Sequence, residues 1–356
     1  MQITENAQLA PYTTFYIGGP ARYLIFAQDD SEVIEAIKFV KSKNLPHLIF
    51  GGGSNMLVSD NGFDGVAIRI ESVGMDIIED SPESVTLKIA SGEVWDDAVR
   101  LAVEENWWGI ENLSHIPGFV GAFCVQNVGA YGQEASDVVQ SAEVYDIERD
   151  EVLVMPAADL NFGYRSSIFN TTQKGRYIIL STTIKLIKNG KPNLSYGDLA
   201  SYFQNFTPSI EQIREAVIEI RNKKFPFPSE PTKGNSGSFF RGPLLSRNEF
   251  VQLNEKIKQN FPEAADKFDN MENKLKVSQG YKTPAAFLID LCGLKGKTVG
   301  GAKINEDQPA IILNFTGHAT SDDVMTLYKE VSSVVYEKTG VNLGMEPELV
   351  GFKSEK

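Results

Sequence analysis

Gly51-Gly52-Gly53-Ser54-Asn55 sets three glycines beside a hydroxyl and an amide. Successive N–H groups without side chains can form an anion nest, so the segment reads as a phosphate or pyrophosphate cradle. It is not a dinucleotide fingerprint, because Met56 stands where the third glycine belongs. A second glycine-rich stretch runs from Ile116-Pro117-Gly118-Phe119-Val120-Gly121 to Gln126-Asn127-Val128-Gly129-Ala130-Tyr131-Gly132. It fits backbone wrapped round a flat or anionic ligand, and equally a loop-rich domain interface. Arg165, after Phe162-Gly163-Tyr164, could grip a carboxylate through two parallel hydrogen bonds or simply end a strand. Ser238, in Gly234-Asn235-Ser236-Gly237-Ser238-Phe239-Phe240, could hold a hydroxyl at a reacting atom or begin a strand. Phe240 fills the last glycine place of a hydrolase elbow, which argues against a serine nucleophile. Glu346-Pro347-Glu348 offers two carboxylates, or an acidic turn. Gly296-Lys297-Thr298 imitates a P-loop, but Leu291 occupies the glycine position that motif needs. Cys124, Cys292, His47, His115 and His318 are scattered without metal-ligand spacing, so no metal site is expected.

These segments need a scaffold, and the hydrophobic pattern supplies one. Val33, Ile37 and Val40 have helical spacing after a start at Ser31-Glu32. Pro46–Phe50 reads as a strand running into the first glycine loop, and Val66–Ile70 as another after the Asn61-Gly62 turn. Strands dominate from about 75 to 200, among them 85–89, 177–180 and 182–186, with one helix over 95–103. Ile210, Ile213, Val217 and Ile220 line a helix that Lys223-Lys224-Phe225-Pro226-Phe227-Pro228 ends, and the stretch to Gly237 is a candidate boundary. Val324, Leu327, Tyr328, Val331 and Val335 line a last helix, capped by Thr320 or Ser321.

Composition limits the function classes. At 356 residues, of which 42% are hydrophobic, the chain has material for roughly two domains at about 150 residues each. Its formal net charge of −13 disfavours nonspecific nucleic-acid binding, while a few local cations could still hold an anionic small molecule. No apolar run nears the roughly 20 residues of a membrane span, and the first residues lack a signal-peptide pattern. Two distant cysteines fit a reducing, cytoplasmic setting.

Taken in order, these segments resemble the UDP-N-acetylenolpyruvoylglucosamine reductases, the MurB family, over almost the whole chain. The likeness rests on Thr14-Phe15 with Gly18-Gly19, Gly51 to Asn55, Ile116-Pro117-Gly118 with Val120-Gly121, and Gln126-Asn127 with Gly129-Ala130-Tyr131-Gly132. It continues through Phe162 to Phe169, Tyr196-Gly197-Asp198-Leu199, Gly237 to Phe240, Ala285-Ala286 with Ile289-Asp290, and Glu346-Pro347-Glu348. The Tyr196 segment is similar to the tyrosine-bearing loop of the type I form.

The resemblance implies an α+β, three-lobed FAD-binding protein of the vanillyl-alcohol-oxidase/PCMH-like type with a C-terminal substrate-binding α/β lobe. Its expected lobes are 1–70 with 341–356 and 71–222 for FAD, and 223–340 for the UDP-sugar. It implies non-covalent FAD, with NADPH as hydride donor. The implied reaction reduces the enolpyruvyl group of UDP-N-acetylglucosamine enolpyruvate, with hydride from the flavin N5 to C3 and a proton to C2. The product is UDP-N-acetylmuramate, a peptidoglycan precursor. Arg165, Ser238 and Glu348 match the catalytic positions: carboxylate grip, proton donor to C2, and polarising group. Gly51, Gly52, Gly53, Ser54, Asn55, Pro117, Gly118, Gly121, Gln126, Asn127, Gly129, Ala130, Tyr131 and Gly132 match the cofactor-binding segments. Tyr164, Tyr196, Lys224, Lys295 and Gln308 are the expected substrate contacts. One departure stands out: after Phe240 the family form continues Lys-Asn-Pro, whereas this chain has Arg241-Gly242-Pro243 and lacks an amide on the uridine side. A bacterial, cytoplasmic monomer is expected, with a small-molecule substrate and no nucleic-acid partner. Two rivals are an FAD oxidase of the same fold and a non-catalytic nucleotide-sugar-binding protein. The first has no need of the Arg165, Ser238 and Glu348 set, and the second would be marked by the loss of one of them.

Overall fold

Strand Phe63–Ile70 lies between two parallel neighbours, Pro20–Ala27 and His47–Phe50. The computed structural model describes residues 1–204, 206–277 and 280–353. Its chain divides into two units, one of Met1–Ala7, Ala21–Gly53 and Phe63–Lys223, the other of Gln8–Pro20, Ser54–Gly62 and Lys224–Lys356. The changeover at Lys223/Lys224 falls where the Lys-Lys-Phe-Pro break is expected.

In the first unit the parallel strands pack against helix Asp30–Lys43, whose Val33, Ala36, Ile37 and Val40 are buried. Asp29, rather than Ser31, caps this helix: its carboxylate accepts the Glu32 N–H at 2.9 Å. Asn44 ends it in the left-handed region at φ 51°. A second sheet is antiparallel, in the order Glu151–Pro156, Val139–Asp146, Tyr177–Lys188, Ser84–Ala90, Met75–Asp80. The two strands expected at 177–180 and 182–186 are one continuous strand. Ser181 does not break it, because it pairs with Glu143 on one side and Ala90 on the other, and its hydroxyl donates to Glu143 Oε2 at 3.1 Å. Helix Trp95–Glu104 buries Trp95, Ala98, Val99, Ala102 and Val103 on one face. The 116–132 stretch is mainly loop, interrupted by the short helix Val120–Phe123 and the pairing of Gly129–Ala130 with Gln133–Glu134. Cys124 lies in this core, where burial pushes its thiol up to about 12, so it is packing rather than a reagent.

The second unit is built round the helices Arg247–Asn260, Ala285–Leu291 and Ser321–Thr339. Their apolar stripes close over Phe239, Phe240 and Phe268. Thr320 is the cap of the last helix, sharing a reciprocal box with Asp323. The adjacent Ser321 has another task, since its N–H and hydroxyl both donate to Asp60 Oδ2, at 2.7 and 2.8 Å. The C-terminal strand Glu348–Val350 runs parallel to Met56–Val58, just after the first glycine loop.

One ion pair of the first unit has a pH signature. The Arg176 guanidinium reaches the fully buried Asp146 at 2.7 Å and holds its carboxyl below the usual carboxylate range. A carboxyl depressed by folding adds stability above its unfolded value, about 3.9, and loses it as pH falls through the folded value. Arg176→Ala should therefore destabilise the protein at neutral pH, by less than the loss of a fully buried pair because Arg176 is partly exposed. In urea titrations the gap from the parent protein should close below about pH 4. A gap independent of pH would show that lost packing, not charge, is the cause.

Candidate active site

The two glycine segments meet within the first unit. A Cβ built on Gly51 would lie 2.9 Å from the Phe119 side chain, and one on Gly52 would lie 2.9 Å from Gly118 Cα. Only glycines allow this approach of backbone to backbone. Gly118 and Val120 are fixed in turn: Trp95 N–H donates to Gly118 O at 3.0 Å and Val120 N–H to Glu93 O at 2.9 Å. Gly121 presses on Ser91, with its Cβ position 2.7 Å from the serine Cβ and Oγ. Pro117 is half-buried in the same turn. Gly53, also buried, has φ 59°. Among the described residues the N–H groups of Gly52 and Gly53 find no protein acceptor. Two adjacent unpaired donors, one on a buried left-handed glycine, suit the pyrophosphate of a dinucleotide cofactor such as FAD.

The second glycine segment turns sharply through Asn127 and Tyr131, both non-glycine residues at positive φ, 47° and 49°. Asn127 is committed to the protein at both ends of its amide: Nδ2 donates to Gly163 O at 3.2 Å, and Oδ1 accepts the Ser136 N–H at 2.9 Å. It thereby sets the loop bearing Arg165. Gln126 is half-buried beside it. Gly129 and Ala130 pair with Glu134 and Gln133, and a Cβ on Gly129 would meet that of Glu134 at 2.8 Å. The rings of Tyr131 and Tyr196 meet edge to face at 5.3 Å, so the expected cofactor loop and the expected substrate tyrosine come together. Gly132, at φ 86°, leaves room for Ser195.

Arg165 sits at φ 52° in a tight turn closed by bonds between Gly163 and Ser166, at 2.9 and 3.2 Å. Its carbonyl accepts from Asn170 Nδ2 at 3.1 Å, and its guanidinium lies 5.6 Å over the exposed Tyr164 ring. A left-handed arginine costs roughly 1–2 kcal/mol relative to an ordinary conformation. The turn is therefore held by its surroundings, as positioned functional residues are.

In the second unit most of the remaining expected residues lie on segments joined by backbone hydrogen bonds. Phe239, next to Ser238, donates its N–H to Ala310 O at 2.7 Å and accepts the Glu346 N–H at 3.0 Å. The Glu348 N–H donates to Asn55 O at 3.0 Å. Asn55 Nδ2 also reaches Glu346 O at 3.5 Å. Ser54, half-buried, begins this segment. Gly237 precedes Ser238 at φ 72°, its N–H on Asn235 Oδ1 at 3.0 Å, and the fully buried Phe239 anchors the other side. Ser238 is thus fixed from both sides while its own side chain stays half-exposed. Lys224 and Gln308 belong to the same neighbourhood through backbone: Asn305 Nδ2 donates to Lys224 O at 3.0 Å, Asn305 N–H to Ile311 O, and Ile311 N–H to Gln308 O. Lys295 instead turns to Asp290, 2.9 Å away on the exposed side of its helix. Gly242 proves to be a packing requirement, since a Cβ there would stand 1.7 Å from Thr283 O. Sequence spacing gave no hint of the buried polar residues Glu111, Asn112 and Gln133 beneath the second glycine segment. Their partners are distant in the chain, and no local motif marks them.

Residues 21–155 match the FAD binding domain family, and residues 229–350 match the UDP-N-acetylenolpyruvoylglucosamine reductase C-terminal domain. The UDP-N-acetylenolpyruvoylglucosamine reductase of Flavobacterium johnsoniae is 38% identical over 98% of this chain and 100% of its own length. That of Photobacterium profundum is 35% identical over 100% of this chain and 98% of its own. The crystal structure of the Thermus caldophilus reductase superposes with a TM-score of 0.64 at 23% identity, covering 98% of both chains, which supports the fold. With full-length relatives above 30% identity and matches to both domain models, the chain belongs to the UDP-N-acetylenolpyruvoylglucosamine reductase family of FAD-dependent oxidoreductases.

Proposed function

We propose a division of labour among this chain's residues for the family's reaction, the reduction of UDP-N-acetylglucosamine enolpyruvate to UDP-N-acetylmuramate. The observation that carries it is the backbone bracket tying the Ser238 segment to Glu346 and Glu348 to the end of the first glycine loop. FAD, when bound, supplies the hydride that it takes from NADPH. Gly51, Gly52, Gly53, Ser54 and Asn55 would cradle its pyrophosphate, and the 117–132 loop its remaining length. The contacts of His115, whose ring bonds Asn222 Oδ1 at 3.1 Å, are consistent with a non-covalent flavin.

Hydride addition to a carbon–carbon double bond leaves negative charge that must be spread into the substrate carboxylate. Arg165 would grip that carboxylate, and Glu348 would polarise it. Ser238 would deliver the proton to C2. A hydroxyl is a weak acid, so it can serve only a strongly basic carbon, and it must be held still to do so. The two-sided fixing of its backbone supports this role. Tyr164 would line the site and Tyr196 would reach the diphosphate, with Lys224, Lys295 and Gln308 as further substrate contacts. The salt bridge to Asp290 makes Lys295 the most weakly supported of these.

We also read the FAD-binding part as two lobes, 1–70 with 341–356 and 71–222, and the UDP-sugar lobe as 223–340. Two apolar clusters inside the first unit support this, one centred on Val33, Ile37 and Ile68, the other on Val99, Val144 and Ile184. The pairing of Glu348–Val350 with Met56–Val58 supports the return of the C-terminus to the first lobe. No helix among the described residues is long and apolar enough to cross a membrane. We infer a cytoplasmic monomer acting on a small molecule, without a nucleic-acid partner.

Ser238→Ala should leave flavin content and NADPH-driven flavin reduction near normal. Reoxidation of the flavin by the enolpyruvyl substrate, followed by stopped-flow absorbance, should slow by about 10²–10⁴-fold. An equal fall in both half-reactions would remove Ser238 from the proton-donor role. Arg165→Met should weaken the enolpyruvyl substrate far more than free UDP in isothermal titration. Arg165→Gly should do the same while raising stability by up to about 1 kcal/mol, because glycine tolerates the left-handed turn. Equal loss of both ligands would move Arg165 away from the carboxylate. Restoring the family's amide by Gly242→Asn should destabilise the protein by about 1–3 kcal/mol, as measured by urea unfolding, because the side chain meets the Thr283 carbonyl. An unchanged midpoint would mean that the 283–285 backbone yields freely.

A further inference from the structure

A pyrophosphate is anionic, yet neither glycine segment, 51–55 or 116–132, contains a lysine or an arginine. The parallel sheet brings a cation to them. Arg69 is the last residue but one of strand Phe63–Ile70, and its register partner is Phe50, which ends strand His47–Phe50 and leads into Gly51. It therefore stands at the carboxyl ends of two parallel strands, where open α/β sheets bind their ligands. Side chains alternate along a strand. Val66, Ile68 and Ile70 pack into the cluster that holds Val33 and Ile37 of helix Asp30–Lys43, so Arg69 takes the opposite face. Its guanidinium lies 5.3 Å over the Phe119 ring. A Cβ on Gly51 would meet that same ring at 2.9 Å, and one on Gly52 would meet it at 3.5 Å. One phenyl group thus carries the arginine and packs on the first two cradle glycines. Glu71 steadies the guanidinium, with Oε1 3.2 Å from Arg69 Nε, and is itself held by Gln28 Nε2 at 2.8 Å. A guanidinium has five N–H donors, so an ion pair with Glu71 leaves it able to serve a second anion.

We propose that Arg69 is a cofactor-anchoring residue that supplies to the FAD pyrophosphate the positive charge which both glycine segments lack. The proposal rests on the reading of residues 51–55 as the pyrophosphate cradle. Backbone N–H groups are neutral donors that fix direction. The arginine adds charge where it counts, in a chain whose formal net charge of −13 otherwise repels an anion. Arg69 is only 19% exposed, so water screens it less than a surface cation.

The test uses the full-length chain freed of flavin and titrated with FAD at low and high salt, with binding read from flavin fluorescence. Arg69→Gln and Arg69→Met are each expected to weaken FAD by about 10–100-fold, the scale of one hydrogen bond to a charged group. Both should also flatten the loss of affinity with salt. Methionine keeps an unbranched stem over Phe119, so agreement between the two variants assigns the loss to charge rather than packing. Arg69→Lys should return the affinity to within about fivefold of the parent, because lysine binds phosphate as a point charge. Parental affinity in both neutral variants would overturn the proposal. A loss that lysine does not restore, or one that leaves the salt dependence unchanged, would overturn it as well. Gly52→Ala tests the cradle separately, since its methyl would stand 2.9 Å from Gly118 Cα and should weaken FAD whatever stands at 69. Normal FAD affinity in Gly52→Ala would overturn the cradle reading itself.

Discussion

The close approach of two backbones at Gly51-Gly52 and Gly118-Phe119 is the constraint on which the rest of the first unit depends. A side chain on Gly52 would have to occupy the place of another residue's Cα, 2.9 Å away. The contact does not stop at the loops. Gly118 is bonded to Trp95 and Val120 to Glu93, Gly121 rests on Ser91, and the Ser91 hydroxyl donates to Ile179 O at 2.7 Å in the long central strand. The loop that presents free N–H groups is therefore braced, through three short links, on the most deeply hydrogen-bonded strand of the sheet. An anion cradle needs such bracing, because donors that swing with a loose loop would lose to water what they gain from the ligand.

Strain is distributed with the same logic. Asn127, Tyr131 and Arg165 lie in the left-handed region, at φ between 47° and 52°, in segments expected to handle ligands, and His115, at φ 61°, directly precedes the second glycine segment. Asparagine tolerates this conformation, while histidine, tyrosine and arginine gain nothing from it locally. Each is held by a bond from elsewhere: the His115 carbonyl by Arg221 Nε at 3.0 Å, the Tyr131 carbonyl by Asn112, the Arg165 carbonyl by Asn170. Together these positions hold a few kcal/mol of unfavourable backbone energy, which the fold offsets through buried hydrogen bonds.

Much of this was legible in the chain because it is local. Glycine spacing, proline breaks and apolar periodicity report on neighbours within a turn or two, and they located both glycine loops, the end of the helix Ile210–Lys224 and the last helix. The misses share a cause in long-range partners. The strands expected at 177–180 and 182–186 prove to be one because Ser181 pairs with Glu143 and Ala90, distant in the chain. Asn127, expected in the cofactor segment, also bonds Gly163 and Ser136 through its amide, and both partners lie elsewhere in the chain. Nothing in a spacing pattern distinguishes an amide that faces a ligand from one that holds the loop beside it.

Gly242 shows the limit most sharply. Against its family it reads as a lost side chain, a deletion of function on the nucleotide side. In the fold it is the condition for the Thr283 carbonyl to pass within 1.7 Å of where a Cβ would stand. The Thr283 N–H also donates to Pro243 O at 3.2 Å, so the two segments are locked in register at this point. An asparagine here would require a different path for residues 283–285, hence a different start for the helix Ala285–Leu291 that they lead into. In this fold the glycine and the course of residues 283–285 go together, so a ligand held nearby has to be held without a side chain at this position.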